Sequence, residues 1–255
     1  MTRLFLPPEK LISEKIIITG EQARYISLVL RIKPGDPLIV FDGSGYRYIC
    51  KVLQTHKKEV VVVKIRKEAY CAESPVLITL AQGLPKSDKM DLIIQKTTEL
   101  GVREIVPLIT ERTQVKHTEK IERWRKIALS ASQQSGREMI PRIQDSVRFE
   151  EFLSNLETTE TDQQIKIIFF EEQKENNLKE ILTGSRDKKN VVLLIGPEGG
   201  FSNDEVSAAV EKGFIKASLG PRILRTETAP ISAISIIQYE LGDIGQKKTL
   251  ADPEI

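Results

Sequence analysis

Cysteine and histidine are nearly absent: Cys50, Cys71, His56 and His117 are all that the 255 residues contain. Two cysteines without metal-ligand spacing exclude a disulfide framework and fit a reducing compartment. Four such residues leave almost no material for a zinc site. A serine–histidine–aspartate mechanism would depend on a histidine set in a polar, lysine-rich loop, and is set aside. Long apolar runs are missing too. The longest, around Ile231 to Ile237, is broken by serines and falls far short of a bilayer span. Residues Met1 to Pro8 lack the apolar stretch and cleavage site of a secretory signal. The expectation is a cytoplasmic protein that engages neither membrane nor metal. Also lacking are a G-x-G-x-x-G fingerprint and a P-loop lysine, which excludes a dinucleotide oxidoreductase. The chemistry must come from a bound cofactor, or from arginine, glutamate and backbone groups.

Charge of one sign is not in excess overall, since 38 Lys and Arg face 36 Asp and Glu, a net +2. The distribution is uneven. Residues 1–72 carry 13 basic against 7 acidic side chains, a net +6 that leaves −4 for the remainder. A basic segment on a mildly acidic body suits phosphate binding, and equally suits a solvated surface on a small β domain.

That first segment reads as β-rich. Ile16 to Ile18, Pro37 to Phe41, Tyr46 to Leu53 and Val60 to Ile65 are short β-branched or aromatic runs parted by turn signals. One helix, about residues 21–30, interrupts them, and a small barrel is expected. Lys67 to Pro75 reads as a linker. From residue 76 strand and helix alternate, which predicts a largely parallel α/β sheet. Strands are expected at 76–81, 105–109, 165–170, 191–195 and 215–219. Helices are expected after a Ser87 cap, over 119–135, after Ser202 and over 229–241. In the first of these Met90, Ile93, Ile94 and Thr97 share one face, and Gly101 ends it. Ser202-Asn203-Asp204-Glu205 reads as a capping box. The expected organisation is a domain over 1–72, a second over 73–245 and a polar tail over 246–255.

Two loops concentrate the chemistry. Residues 194–202 read Leu-Ile-Gly-Pro-Glu-Gly-Gly-Phe-Ser, and residues 219–229 read Leu-Gly-Pro-Arg-Ile-Leu-Arg-Thr-Glu-Thr-Ala. Each is a Gly-Pro turn at the end of a strand-like run, where α/β proteins hold ligands. Pro197 restricts the backbone, while Gly199 and Gly200 allow a ligand to approach it closely. Leu219, Ile223 and Leu224 supply apolar walls and Gly220 bare backbone, which suits a flat adenine ring. Arg222, Arg225 and Glu227 place charge beside them, and the arginines suit phosphate or a developing oxyanion.

With these two loops, Gln82 to Asp91, Gln95 to Val102, Glu111-Arg112-Thr113 and Gln134 to Arg137 resemble the RsmE family. Val29-Leu30-Arg31 and Phe41 to Gly45 carry the resemblance into the basic segment, and it runs in order from Arg3 to about Gly242. RsmE proteins methylate N3 of a uridine in small-subunit (16S) ribosomal RNA and belong to the SPOUT superfamily. The resemblance implies a PUA-like RNA-binding β-barrel followed by a SPOUT-type α/β domain, whose C-terminus forms a deep trefoil knot around a parallel sheet. It further implies S-adenosyl-L-methionine as cofactor, a homodimer, and 16S rRNA or the small ribosomal subunit as partner. Tyr25 and Ser130 depart from the family pattern, which has a histidine and commonly an acidic residue there.

Carried over by position, the first cofactor loop comprises Leu194, Ile195, Gly196, Pro197, Gly199 and Gly200, with Phe170 as a further wall. The second comprises Leu219, Gly220, Ile223, Leu224, Arg225, Thr228 and Ala229. Uridine N3 bears a proton at neutral pH, so an arginine that stabilises charge on the flanking carbonyls would help catalysis. Arg225 is the first candidate, with Arg112 and Arg137 as alternatives. Glu198 and Glu227 are candidate proton acceptors, and either could instead tie down an arginine, the role that better suits Glu227. RNA contacts are expected from Arg3, Arg24, Arg31 and Lys33, extended by Lys86 and Lys89, with Arg112, Arg137 and Arg222 near the site. The alternative reading is a non-catalytic RNA-binding or ribosome-assembly factor of the same fold.

Overall fold

β-branched residues at alternate positions draw the first segment into strands whose one side is buried. The computed structural model describes residues 2–69, 73–114, 118–156, 164–171 and 177–246. Strands β1 (Thr2–Phe5), β2 (Lys15–Thr19), β3 (Pro37–Phe41), β4 (Tyr46–Thr55) and β5 (Glu59–Ala69) form one sheet, ordered β1-β3-β4-β5-β2. β1 runs parallel to β3, and the other pairs are antiparallel. Register shifts at Ile49/Cys50 and Val52/Gln54 bend the long β4–β5 ladder toward a half-barrel. Ile16 and Ile18, Leu38 and Val40, and Val60 and Val62 meet in one core, whereas Ile17 between the first two is exposed. Helix α1 (Gly20–Arg24) follows β2 and widens at Tyr25–Val29 into a π-helical turn.

These elements belong to a unit made of Met1–Glu73 and Ala128–Ile140. Several of its charged groups are paired inside it. Arg3 binds the fully buried Glu138, Arg137 meets Glu73 at 2.7 Å, and Arg47 meets Glu68 at 2.7 Å. Burial pushes the Glu138 carboxyl above its ordinary range, against the pull of the Arg3 guanidinium. Burial also pushes the Cys50 thiol up to about 12, despite Lys64 nearby, so it is an inert core residue. Cys71 and His117 lie outside the described residues.

The second unit comprises Ser74–Ile127 and Pro141–Ile255. Its sheet is parallel throughout. β6 (Leu77–Gly83), β7 (Glu104–Ile109), β8 (Arg142–Ile143), β9 (Val147–Arg148), β10 (Gln164–Phe169), β11 (Asn190–Ile195) and β12 (Ile215–Ala217) follow the order β12-β10-β11-β6-β7-β8, with β9 also on β7. The chain leaves β6 toward β7 and later returns to β11 on its other side, so the direction of winding reverses between β6 and β11. Val106, Leu108, Ile168, Val192 and Leu194 pack against α4 (Phe149–Asn155) and α6 (Asn203–Glu211) through Phe149, Phe152 and Val206.

Helices α2 (Lys89–Glu99) and α7 (Thr228–Glu240) pack together, and Gln238 clamps them. This fully buried amide donates to Leu100 O at 3.0 Å and accepts from Ser74 Oγ at 2.6 Å. A Cβ on Gly101 would lie 2.7 Å from its nitrogen, so that glycine makes room for the clamp. α3 (Ile121–Ser135) is held at its start by Trp124 Nε1, which donates to Asp91 Oδ1 of α2 at 3.1 Å.

The expected strands and helices are all present. The structure adds β1, β8, β9, α4 and α5 (Leu178–Thr183), each too short to show a hydrophobic period. Ser87 does not cap α2: Asp88 occupies that position without a capping bond, and its carboxylate goes to Lys120 at 2.9 Å. The Ser202 capping box is formed on both sides. Of the tail expected over 246–255, residues 247–255 lie outside the described residues.

Replacing Gln238 with Leu deprives the part-buried Leu100 carbonyl and Ser74 hydroxyl of this partner. Stability measured by urea unfolding should fall by roughly 1–3 kcal/mol per orphaned group.

Candidate active site

The carboxyl ends of β6, β7, β10, β11 and β12 all open toward the same edge of the parallel sheet. Beyond β10, β11 and β12 lies a cavity of about 960 Å³. Phe169 and Phe170 line it from the end of β10, and Ile195 with Gly196, Pro197, Gly199 and Gly200 from the end of β11. Leu219, Gly220, Ile223, Leu224, Arg225 and Ala229 close it from the loop after β12. The two Gly-Pro loops therefore face one space. Leu194 is fully buried in the core beneath them, and Thr228 lies outside the lining.

Glycine permits this convergence at two points. A Cβ on Gly83 would fall 2.5 Å from Pro197 Cδ, so only glycine lets the end of β6 touch the first loop. A Cβ on Gly196 would come within 2.9 Å of the Gly200 carbonyl carbon, so the loop could not fold back on itself. At the junction sits Gln82, a fully buried amide that the sequence motifs did not single out as a site residue. Its Nε2 donates to Gly83 O at 2.9 Å, Gly196 O at 3.3 Å and Thr226 Oγ1 at 3.2 Å. The Thr226 hydroxyl in turn donates to Gly196 O at 2.8 Å. Three chain segments are thus tied to one side chain. Among the described residues Gln82 Oε1 has no hydrogen-bond partner.

A second set of contacts holds the first loop from outside. Arg112 Nη1 donates to Gly199 O at 2.9 Å. Its backbone is steadied by Glu205, which accepts from Glu111 N at 2.8 Å while completing the α6 capping box. The Thr110 and Thr113 hydroxyls bond each other at 2.8 Å across the same turn.

Two carboxylates and one lysine stand at the cavity mouth. Lys89 Nζ lies 2.9 Å from Glu198 Oε1 and 3.4 Å from Glu227 Oε2, linking the two loops. Glu198 also accepts from the Lys86 amide at 3.2 Å. Burial would raise the Glu198 carboxyl, but hydrogen bonds from Lys89 and from the Glu198 and Lys86 amides prevail and hold it below its ordinary range. The glutamates tie down a lysine here, not an arginine. Arg222 and Arg225 are exposed, and neither has a side-chain hydrogen bond or ion pair among the described residues.

The sequence-predicted site residues therefore separate into groups. Lys89, Arg112, Arg222 and Arg225 all line the cavity with Glu198. Lys86 reaches its edge through a backbone bond. Arg24, Arg31 and Lys33 are exposed in the first unit, whereas Arg3 and Arg137 are drawn into its buried ion pairs. Among the described residues no cluster of His, Cys, Asp or Glu could hold a metal ion, and no helix is long and apolar enough to cross a membrane.

Comparison with known proteins agrees with this layout. An RNA methyltransferase domain family matches residues 72–238, and an RNA methyltransferase PUA domain family matches residues 18–65. Ribosomal RNA small subunit methyltransferase E of Bacillus subtilis (strain 168) is 36% identical over 88% of this chain and 89% of its own. The same enzyme of Buchnera aphidicola subsp. Acyrthosiphon pisum (strain APS) is 35% identical over 94% of both chains. The chain belongs to the RsmE family. Among solved structures, an RsmE of Neisseria gonorrhoeae bound to S-adenosyl methionine is 32% identical, with a TM-score of 0.86 over 96% of this chain and 99% of that one. A Legionella pneumophila methyltransferase in complex with the same cofactor is 34% identical, with a TM-score of 0.84 over 96% and 100%. This RsmE protein shares with them a parallel α/β domain and a PUA domain.

Because the folded-state pKa of Glu198 is depressed, its contribution to stability is present above the ordinary carboxylate range and fades as pH falls through the folded value. Carbon-13 titration of the glutamate carboxyls should show this, and Lys89→Met should move Glu198 back upward. An unmoved Glu198 in that variant would mean that Lys89 does not hold it.

Proposed function

We propose that the protein transfers a methyl group from S-adenosyl-L-methionine to N3 of a uridine in 16S ribosomal RNA. The observation that carries this reading is the cavity formed by both Gly-Pro loops, with an unpaired Arg225 at its mouth. The residues fit the cofactor. Ile195, Leu219, Ile223 and Leu224 offer apolar walls to an adenine, and the space beside Gly200 and Gly220 is open where a Cβ would stand. Both glycines have positive φ, at 67° and 107°, which turns their bare backbone toward that space at no steric cost. When bound, the cofactor supplies an electrophilic methyl group on a sulfonium.

The chain's own part is positioning and charge. Arg225 donates to the carbonyl oxygens of the base as N3 gives its proton to the Glu198 carboxylate, which lines the same cavity, so that negative charge spreads toward a fixed cation. Its guanidinium is free for this because no carboxylate holds it among the described residues. Lys89 holds Glu198 and Glu227 together, so the two loops keep a common mouth as the base enters. A base in a helix must be unpaired or flipped to reach such a pocket. Residues 1–72 supply sequence-tolerant phosphate contacts, and residues 73–245 carry the reaction and a C-terminal trefoil knot. The protein acts in the cytoplasm as a homodimer, on 16S rRNA or the small subunit.

Arg225→Ala should lower turnover by about 10²- to 10³-fold while leaving calorimetric affinity for S-adenosyl-L-methionine within a few-fold. Gly83→Ala, which drives a methyl group into Pro197, should weaken that affinity by at least about tenfold. The reading as a whole is tested by nucleoside mass spectrometry of unmodified small subunits and free 16S rRNA after incubation with protein and cofactor. N3-methyluridine is the expected product; its absence from both substrates would sink the proposal.

A further inference from the structure

The turn between β2 and β3 exposes a cluster that the cavity does not use. Tyr25, Leu28 and Val29 are 44%, 50% and 65% exposed, three large apolar side chains within five residues of a solvent-facing surface. Such a cluster is not what a solvated helix face needs. The segment is firmly seated from below: Ala23 and Ile26 are fully buried in the β core, and Gln22 Nε2 donates to Phe5 O of β1 at 2.8 Å. Its backbone is also unusual. Leu30 N bonds Tyr25 O at 3.0 Å, closing a π-helical turn, and Ile32 N bonds Ile26 O at 3.2 Å. π turns of this kind are rare and concentrate at functional sites. Arg31 follows with a φ of 52°, left-handed backbone that a side chain of its kind seldom adopts.

Cations frame the apolar surface. Arg24, Arg31 and Lys33 are all exposed, and among the described residues none has a side-chain hydrogen bond or ion pair. The unit's other arginines are spent in ion pairs: Arg3 with Glu138, Arg47 and Arg66 with Glu68, and Arg137 with Glu73. A ring and two aliphatic side chains beside three uncommitted cations complement an unpaired nucleotide: base on the apolar surface, phosphates on the arginines. An apolar protein partner would gain nothing from three unpaired charges around its rim.

The geometry points to the π turn as a stacking platform for single-stranded RNA, with Tyr25 against the base and Arg24 and Arg31 on the flanking phosphates. The choice of RNA as the occupant rests on the proposed function, and the platform deepens it by naming an unpaired segment as what the first unit recognises. Stacking is indifferent to base identity, so this surface adds affinity for an open loop without selecting its sequence.

The test uses the full chain and a fluorescein-labelled mixed-sequence RNA dodecamer, single-stranded or as a blunt duplex, with anisotropy read at several salt concentrations. Tyr25→Ala should weaken single-strand binding about tenfold with an unchanged salt slope. Tyr25→Phe should stay within about twofold of wild type. Arg24→Ala and Arg31→Ala should each reduce the salt slope by about one, and duplex binding should respond little to Tyr25→Ala. The midpoint of urea unfolding and the calorimetric affinity for S-adenosyl-L-methionine should be unchanged in every variant, which separates loss of stacking from loss of fold in the first unit and in the second. Wild-type single-strand affinity in Tyr25→Ala overturns the platform, as does equal loss in Tyr25→Phe. A change of sedimentation coefficient in Tyr25→Ala also overturns it, by assigning the surface to a second copy. If the wild type methylates no uridine yet Tyr25→Ala still loses single-strand binding, the proposed reaction falls and the platform stands.

Discussion

One buried amide holds together three segments that are far apart along the chain. Gln82 ends β6, Gly196 ends β11 and Thr226 closes the loop after β12, and the Gln82 side chain bonds to both of the others. In water each of these bonds would be worth little, because solvent competes for the same donors and acceptors. Inside the fold the alternative to each is an unsatisfied polar group, so the junction admits few other arrangements. The cavity is the space left once the loops are tied there. Its walls are apolar because strands β10, β11 and β12 run out of a parallel core at that edge.

The glycines and the charges serve that junction in different ways. Gly83 and Gly196 are absences of side chain that let backbone meet backbone, and no other residue could stand there without displacing Pro197 or Gly200. Lys89 and Glu198 sit further out, where solvent reaches them, and with the more buried Glu227 they join the loops by charge. Exposed ion pairs contribute little stability, so this set is better understood as orientation. Among the described residues it leaves Arg222 and Arg225 as the uncommitted cations of their loop.

Much of this was legible in the sequence, and the reason is local. Gly-Pro turns after apolar runs mark strand ends, and most residues of both loops line one cavity, although Leu194 is buried beneath it and Thr228 lies outside the lining. The Ser202 capping box could be read from spacing, because both of its bonds span three residues. The Ser87 cap could not. Lys120 lies far from Asp88 in sequence, and its ammonium takes the carboxylate away from the helix start. Short elements such as α4 and α5 also escaped, since seven or six residues hold too few apolar positions to show a period. The basic character of residues 1–72 was plain, but not which cations remain free. Arg3 and Arg137 are consumed by Glu138 and Glu73, which only packing could bring to them.

Sequence alone therefore determined the class of fold, the two Gly-Pro loops and the family, because each of these rests on patterns a few residues long. The tertiary structure decided which residues those loops recruit. Gln82 opens a segment that resembles the family but carried no site signal of its own, and its role exists only because β6 and β11 are neighbours in the sheet. The same holds for Lys89, which lies more than a hundred residues from Glu198 and was placed with the RNA contacts until the loops brought the two to 2.9 Å. Long-range hydrogen bonds and ion pairs depend on chain topology, and no local spacing encodes which distant partner a side chain will meet.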